Sequence, residues 1–174
     1  MFFFPISDDN ESNSKPYICY CLIGICCFIF LWQNALPINL NQSAIYNFGV
    51  IPAAVLGDQQ GLIHPYLTIF TSMFMHGGWM HLIGNMVFLW IFGDNIEDSM
   101  GHKKFLVFYL LSGIFAALLQ ASIDPSSSVP MIGASGAIAG LLGAYLVLHP
   151  RANVNVLFWL SLIHISEPTR PLRI

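Results

Sequence analysis

Residues 17–36 read YICYCLIGICCFIFLWQNAL, a run without one charged side chain. A helix needs about 20 apolar residues to cross a hydrocarbon core of about 30 Å, because each residue adds about 1.5 Å. A cleavable signal peptide is the rival interpretation, but its apolar region would be shorter and a small-residue cleavage site would follow it. The stretch therefore predicts a first membrane-spanning helix.

The composition points to a membrane protein along the whole chain. Hydrophobic residues make up 56% of the 174 residues and charged residues only 9%, whereas about a quarter of an ordinary soluble domain is charged. So few charges cannot cover a surface that faces water, so much of the exterior must face lipid. The net charge of −3 and the lack of a basic cluster exclude a nucleic-acid-binding surface.

Three further apolar segments predict membrane helices over residues 80–96, 105–123 and 135–149, and a fifth helix begins near Val154 and is cut short. Residues 37–79 contain prolines, glycines and apolar stretches too short to span, which predicts a structured loop with interfacial helices. The polar N-terminal residues predict a flexible cytoplasmic tail. The four cysteines lie within one apolar run and lack the second ligand pair of a zinc site, which favours packing or lipid contact.

The positive charges indicate the orientation of these helices. Lys15 precedes the first span, Lys103 and Lys104 lie between the second and third, and Arg151 follows the fourth, whereas the first loop and residues 124–130 contain no Lys or Arg. Because positive loops stay on the cytoplasmic side, the N-terminus is predicted to be cytoplasmic. The compact architecture and short N-terminal tail favour a bacterial inner membrane.

A possible nucleophile lies in Gly133-Ala134-Ser135-Gly136, where a loop meets the fourth apolar helix. A hydroxyl at a helix N-terminus lies among unpaired backbone N–H groups and the positive end of the helix dipole, which stabilise an oxyanion. A serine there is also an ordinary N-cap. These four residues alone leave both interpretations open.

Residues 76–85, HGGWMHLIGN, contain the second group of polar side chains. His81 and Asn85 are four residues apart and share one face of the predicted second helix. Both donate hydrogen bonds, so together they can hold a negatively charged oxygen or form a polar clasp between helices. His76 is equally consistent with an interfacial residue, and a metal site with His81 lacks a carboxylate or cysteine to complete it.

The fourth helix also carries two stripes of small residues, and within each stripe the residues are four positions apart. Such spacings let membrane helices approach closely, in proteases and equally in transporters and receptors. The two stripes are Ser135, Ala139 and Gly143, and Gly136, Gly140 and Ala144.

The two motifs together resemble those of the rhomboid family of intramembrane serine proteases. FMHGGWMHLIGNM at 74–86 is followed about 50 residues later by GASGAIAG at 133–140, and the resemblance extends over residues 45–160. GDNIED at 93–98 is similar to the family's cytoplasmic turn after the second helix. The resemblance implies an all-α, polytopic, rhomboid-like membrane helix bundle with the first four transmembrane helices and a partial fifth.

The resemblance also implies roles for individual residues. Ser135 would be the nucleophile that attacks a peptide bond in or near a transmembrane segment of a substrate protein. His81 and Asn85, with the Ser135 backbone N–H, would form the oxyanion hole. The partners implied are transmembrane protein substrates and the lipid bilayer, and neither a metal nor an organic cofactor is implied. The supporting positions are Gly133, Gly136 and His76.

The sequence departs from the family at the catalytic base, which the resemblance places on a sixth helix. His149 lies 14 positions along the helix of Ser135, about 21 Å away at 1.5 Å per residue. His164 lacks the small neighbours of the family's histidine. A serine without a base is a weak nucleophile, so we expect the chain as written to be inactive. The alternative function is a rhomboid-like pseudoprotease that binds membrane helices without cleavage, which would not need an oxyanion hole.

The last residues, 161–174, read SLIHISEPTRPLRI. Pro168 and Pro171 end a spanning helix after about a dozen residues, when about 20 are needed. We expect this tail to be foreign, resembling translated adaptor or vector sequence; a natural short variant with a re-entrant fifth segment is the alternative. The predicted organisation is a tail over 1–16, an incomplete rhomboid membrane domain over 17–160 and a non-native tail over 161–174.

A third possible function is a transporter or channel subunit. Such a protein would need more ionisable groups inside its membrane spans than His81 and Asp94.

Overall fold

The computed structural model describes residues 2–10, 12, 14–57 and 63–159. These residues form seven α-helices, a short 3-10 helix at Ser72–Phe74 and two strands. In chain order the elements are β1 Phe2–Asp8, α1 Tyr17–Ala35, α2 Ile38–Phe48, α3 Pro52–Val55, α4 Pro65–Thr71, α5 Trp79–Met100, α6 His102–Ile123, α7 Ser135–Leu148 and β2 Val154–Trp159.

Helices α1 and α6 are long and apolar enough to cross a membrane, and α7 is a shorter apolar helix. The bounds of α1 and α7 agree with the sequence prediction to within one residue. Helix α5 continues to Met100 instead of ending at 96, so residues 93–98 are helical and the expected turn there is wrong. The turn comes at Gly101, whose φ of +78° suits glycine and which separates α5 directly from α6.

The helical bundle agrees with the all-α prediction, and one two-stranded sheet lies beside it. Residues 154–159, expected to begin a fifth helix, form β2, and β2 pairs antiparallel with β1 in the segment expected to be a flexible tail. At the end of this pair, Asn153 donates its backbone N–H and its side-chain amide to the Asp9 carboxylate at 2.8 and 2.6 Å. Val154 and Val156 flank Asn155, and β-branched residues that alternate with polar ones favour a strand over a helix. The predicted foreign tail at 161–174 lies outside the described residues.

The end of β1 and the residues after it contact two helices, α5 and α7. The Asp8 carboxylate accepts hydrogen bonds from Asn95 Nδ2 of α5 at 2.7 Å and from the Tyr145 hydroxyl of α7 at 2.6 Å. Asn10 Nδ2 donates to Asn95 Oδ1, also at 2.7 Å. These hydrogen bonds explain why the N-terminal residues pack onto the bundle, since a buried amide such as Asn95 must be paired.

The bundle core is formed by α1, α5, α6 and α7, while the loop over 37–79 is structured by α2, α3 and α4, as the sequence predicts. Cys19 and Cys26 are buried in this core and Cys21 is exposed, in agreement with cysteines that serve packing or lipid contact. The largest fully buried side chains in the core include Phe30, Leu89, Ile96, Phe105, Tyr109 and Leu141.

Helix α7 packs closely on α6 through only one of its two stripes of small residues. A Cβ atom added at Gly136 would lie 2.7 Å from the Ala116 Cβ, and one added at Gly140 would collide with Ser112 of α6. Ala139 and Gly143, on the other stripe, are exposed, and a Cβ at Gly143 would meet nothing within 4 Å. The Gly136 stripe therefore holds α6 and α7 together, and the Ser135 stripe does not take part.

We expect Gly136→Ala to destabilise the bundle by about 1–3 kcal/mol, because the new methyl group would force two helix backbones apart. Gly143→Ala is the matched control, with the same substitution on the same helix in open space, and should be neutral. Unfolding of the detergent-solubilised protein, followed by circular dichroism, measures both. Equal stability of the two variants would contradict the close packing of α6 and α7.

A buried carboxylate caps the first helix from a distance. The N-cap residue of α1 is Pro16, which provides no side-chain cap. Instead, the Glu97 carboxylate of α5 accepts the backbone N–H groups of Ile18 and Cys19 at 2.9 and 2.8 Å, and it pairs with His102 of α6. Glu97 is fully buried. It thereby satisfies two of the unpaired N–H groups of α1 and joins three helices at one point.

Candidate active site

The loop before α7 is held in place by backbone hydrogen bonds to the first loop. Met131 and Val50 exchange N–H···O bonds of 2.7 and 2.9 Å, and the Gly133 N–H donates to the Ser72 carbonyl at 2.9 Å. Gly133 has a φ of +123°, a conformation that favours glycine. These constraints position the chain that leads into Ser135.

Ser135 is the first residue of α7, and its side chain is exposed. The N-cap position belongs to Ala134, and no side chain caps the helix. The N-cap interpretation of Ser135 is therefore wrong. Ser135 lines a cavity of about 200 Å³ together with Gly133, Gly136 and residues of α6 that include Gln120.

His81 and Asn85 face the Gly133 backbone from α5. A Cβ atom built on Gly133 would lie 2.6 Å from His81 Nε2 and 3.6 Å from Asn85 Nδ2. Glycine is thus required at 133 for its backbone conformation and for the space that His81 occupies. The two polar side chains predicted to share one helix face do so, and they point at the residue two positions before Ser135.

A long backbone hydrogen bond favours one of the two neutral forms of His81. The Gly77 N–H donates to His81 Nδ1 at 3.4 Å. Because Nδ1 accepts, the proton of the neutral ring lies on Nε2, the nitrogen beside Gly133. His81 therefore presents an N–H donor to the space next to Gly133.

Asn85 presents a second donor to the same space. Its side chain is 9% exposed, and its Nδ2 is buried without a hydrogen-bond partner among the described residues. A buried amide N–H is normally paired, and an unpaired one costs about 1–3 kcal/mol. An unpaired donor next to Gly133 is available to a ligand atom that carries negative charge.

His76 lies behind His81, outside the spanning helices. It is 1% exposed, and its ring packs edge-on against His81 with the ring centroids 5.2 Å apart. Burial, and after it the neighbouring His81, lower the pKa of His76 to about 4, so the ring is neutral at physiological pH. The structure thus places His76 beside His81, and its supporting role stays a prediction.

Gln33, on α1, is a residue of this region that sequence analysis missed. Its Nε2 donates to the His76 carbonyl at 3.2 Å, and its Oε1 accepts the His76 N–H at 3.1 Å. The signal was present in the sequence, since Gln33 is a buried polar side chain within a span without charges.

His149 lies at the opposite end of α7 from Ser135. Its Nδ1 contacts Asn10 Nδ2 at 3.0 Å and its Nε2 contacts Ser99 Oγ at 3.1 Å. His149 is the only histidine among the described residues that follow Ser135, so the part of the chain that the structure describes supplies no downstream histidine near the serine.

Known proteins resemble this chain over the same region. The family model of the rhomboid domain matches residues 64–166. The rhomboid protease GluP of Bacillus subtilis is 29% identical over 134 residues, which are 77% of this chain and 25% of that protein. The YdcA protein of the same organism is 35% identical over 130 residues, 70% of this chain and 65% of the relative.

Relatives also occur in eukaryotes. RHOMBOID-like protein 5 of Arabidopsis thaliana is 35% identical over 78 residues, 45% of this chain. The match spans a quarter of the length of that plant protein, as it does for GluP. The rhomboid domain covers more than half of the chain. Its first motif leads into α5 and its second lies at the start of α7. Helices α1 and α6 are apolar enough to span a bilayer. The chain is an integral membrane protein of the rhomboid family.

Proposed function

We propose that this chain forms the nucleophile and oxyanion-binding part of a rhomboid-type intramembrane serine endopeptidase that cleaves transmembrane proteins. The observation that carries the proposal is the pair of donors beside Gly133: His81 Nε2 and the unpaired, buried Asn85 Nδ2. Two donors that converge beside the backbone leading into an exposed serine are what acyl transfer requires. The relatives named rhomboid protease support the same reaction class.

In the proposed reaction, Ser135 Oγ attacks the carbonyl carbon of a substrate peptide bond and gives up its proton to a base. The carbonyl oxygen becomes an oxyanion, which accepts hydrogen bonds from His81 Nε2, Asn85 Nδ2 and the backbone N–H of Ser135. These groups need no reorganisation, because His81 is oriented by Gly77 and Asn85 projects from the same helix face. The base is expected to be a histidine outside the described residues.

The cellular setting is part of the proposal. The basic residues Lys15, Lys103, Lys104 and Arg151 favour a cytoplasmic N-terminus. The Bacillus subtilis relatives are consistent with a bacterial inner membrane, although plant relatives exist as well. The substrates we propose are membrane proteins whose transmembrane segments approach Ser135 and its cavity.

A fluorophosphonate probe tests the proposal on the full gene product in detergent or lipid. We expect covalent labelling that disappears in Ser135→Ala, together with cleavage of a transmembrane reporter substrate on a gel. Absence of labelling in a protein that remains folded would support the pseudoprotease instead.

For the 174-residue polypeptide tested alone, we expect no cleavage of the same reporter. Among Ser–His–Asp proteases, loss of one catalytic member leaves an acceleration of only about 10³ to 10⁴ over water, and His149 is about 21 Å along α7 from Ser135. Reporter cleavage by this polypeptide that vanishes in Ser135→Ala would contradict the expectation.

Sequencing the genomic locus beyond the Leu160 codon tests the non-native tail, because a native continuation that encodes residues 161–174 would exclude it.

A further inference from the structure

Gln33 occupies an unusual place for a buried polar residue of a membrane helix. It is 1% exposed near the C-terminal end of α1, and both atoms of its carboxamide are used by one residue, His76, 43 positions away. The Gln33 Nε2 donates to the His76 carbonyl, and the Gln33 Oε1 accepts the His76 N–H. The carboxamide thus forms the same pair of hydrogen bonds with the His76 backbone that a neighbouring β-strand would form. Two hydrogen bonds between buried groups hold the His76 backbone against α1.

The His76 ring depends on this backbone attachment for its position. Neither of its ring nitrogens has a hydrogen-bond partner of ordinary geometry within the described residues, and the Phe74 carbonyl lies near the ring. The ring instead packs edge-on against His81 at 5.2 Å, and the next residue, Gly77, donates the hydrogen bond to His81 Nδ1. Both contacts that orient His81 therefore come from the short connection that Gln33 holds.

A second contact from the same helix supports this arrangement. Phe30, one turn before Gln33, packs edge-on against Trp79, the first residue of α5, with ring centroids 5.0 Å apart. Helix α1 thus contacts the connection at His76 and the start of α5 at Trp79. Through these two contacts it fixes the connection relative to the start of α5.

We propose that Gln33 is a positioning residue for the candidate oxyanion site: by pairing with the His76 backbone, it holds the His76 ring and the Gly77 N–H against His81 and so keeps the His81 Nε2–H directed at Gly133. This inference rests on the proposed function, since His81 needs a defined donor only if an oxyanion forms there. It assigns to the first helix a direct part in preparing the site, although α1 carries no residue that contacts the reacting atoms.

Nitrogen-15 NMR of labelled histidine in the 174-residue chain tests the inference, because imidazole nitrogen shifts report which nitrogen is protonated. His81→Gln identifies the His81 resonances. In the unsubstituted chain we expect the Nε2-protonated form to predominate. Gln33→Met keeps the unbranched side chain but removes both hydrogen bonds, and should reduce the ratio of Nε2-protonated to Nδ1-protonated His81 by about fivefold, the factor that one ordinary hydrogen bond contributes.

Asn34→Met is the matched control. Asn34 is the neighbouring amide and is exposed, and within the described residues it donates only to Phe30 of its own helix, at 2.9 Å. We expect this variant to leave the His81 ratio unchanged. An unchanged ratio in Gln33→Met, or an equal change in both variants, would overturn the inference.

A second variant decides the matter if Gln33→Met does not fold. Gln33→Asn keeps a buried carboxamide but shortens it by one methylene, so that it no longer reaches the His76 backbone N–H and carbonyl. We expect a similar fall in the Nε2-protonated fraction of His81 in this variant; an unchanged ratio would overturn the inference. The readout needs no protease activity, so an absence of Ser135 labelling in the full gene product would defeat the proposed function without altering this result.

Discussion

Glu97→Ala is expected to destabilise the folded bundle by about 3–5 kcal/mol. The substitution leaves the half-buried N–H of Ile18 and the buried N–H of Cys19 without an acceptor and removes the partner of His102. A hydrogen bond to a charged group contributes about 1.5–3 kcal/mol, so the loss of two such bonds gives this range. Reversible unfolding in mixed detergent micelles, followed by tryptophan fluorescence, measures the loss.

Two further substitutions define the cause of that loss. Glu97→Gln keeps one carbonyl oxygen as an acceptor, so its loss should be about half as large. Asp124→Ala removes an exposed carboxylate at the end of α6 and should cost about 0.5 kcal/mol or less. In the part of the chain that the structure describes, this carboxylate accepts one hydrogen bond, from Ser126 at 3.2 Å. If Glu97→Ala proves no more destabilising than Asp124→Ala, the capping of α1 by Glu97 is not important for stability.

Gly133→Ala is expected to lower the rate of Ser135 labelling in the full gene product by about 10² to 10³, the factor lost with one oxyanion-hole donor. The new Cβ would lie 2.6 Å from His81 Nε2, so the ring must move away from the place where the oxyanion is proposed to form. The φ of +123° adds strain to the alanine backbone. Probe labelling as a function of time measures the effect.

Gly101→Ala controls for the strain in the previous experiment. Gly101 also has a positive φ, +78°, but a Cβ there would meet nothing within 4 Å. This variant should lose some stability and retain labelling within about threefold, since substitutions far from the chemistry leave the oxyanion donors in place. Comparable loss of labelling in both variants would show that backbone strain, and not displacement of His81, impairs the site.

Sequence periodicity and motifs predicted the helices and the residues of the site because both are local properties. A charge-free run of adequate length predicts a span without knowledge of its neighbours, and the bounds of α1 and α7 agree to within one residue. His81 and Asn85 share a helix face because they are four residues apart. Their proximity to Ser135 was implied only by the resemblance, since no local pattern brings α5 to α7. The structure places them beside the Gly133 backbone, two residues before Ser135.

Other features depend on contacts between distant parts of the chain. Local pattern predicted a fifth helix at 154–159, but β2 forms because β1, far away in sequence, offers it a partner. Likewise, nothing in the sequence around Glu97 shows that its carboxylate accepts N–H groups 78 and 79 positions away. Such pairings depend on where the chain folds back, which short-range propensity does not report.

The sequence by itself determined that this protein spans a membrane, which family it resembles and which side chains are candidates for the chemistry. Only the tertiary structure decided that Gln33 holds the His76 backbone, that the Gly136 stripe and not the Ser135 stripe packs on α6, and that Ala134 takes the N-cap position. The physical reason is that hydrophobicity and helix periodicity are patterns among residues close together in sequence. The partner of a buried polar group, in contrast, is a group that the folded bundle brings within about 3 Å of it, from any part of the sequence.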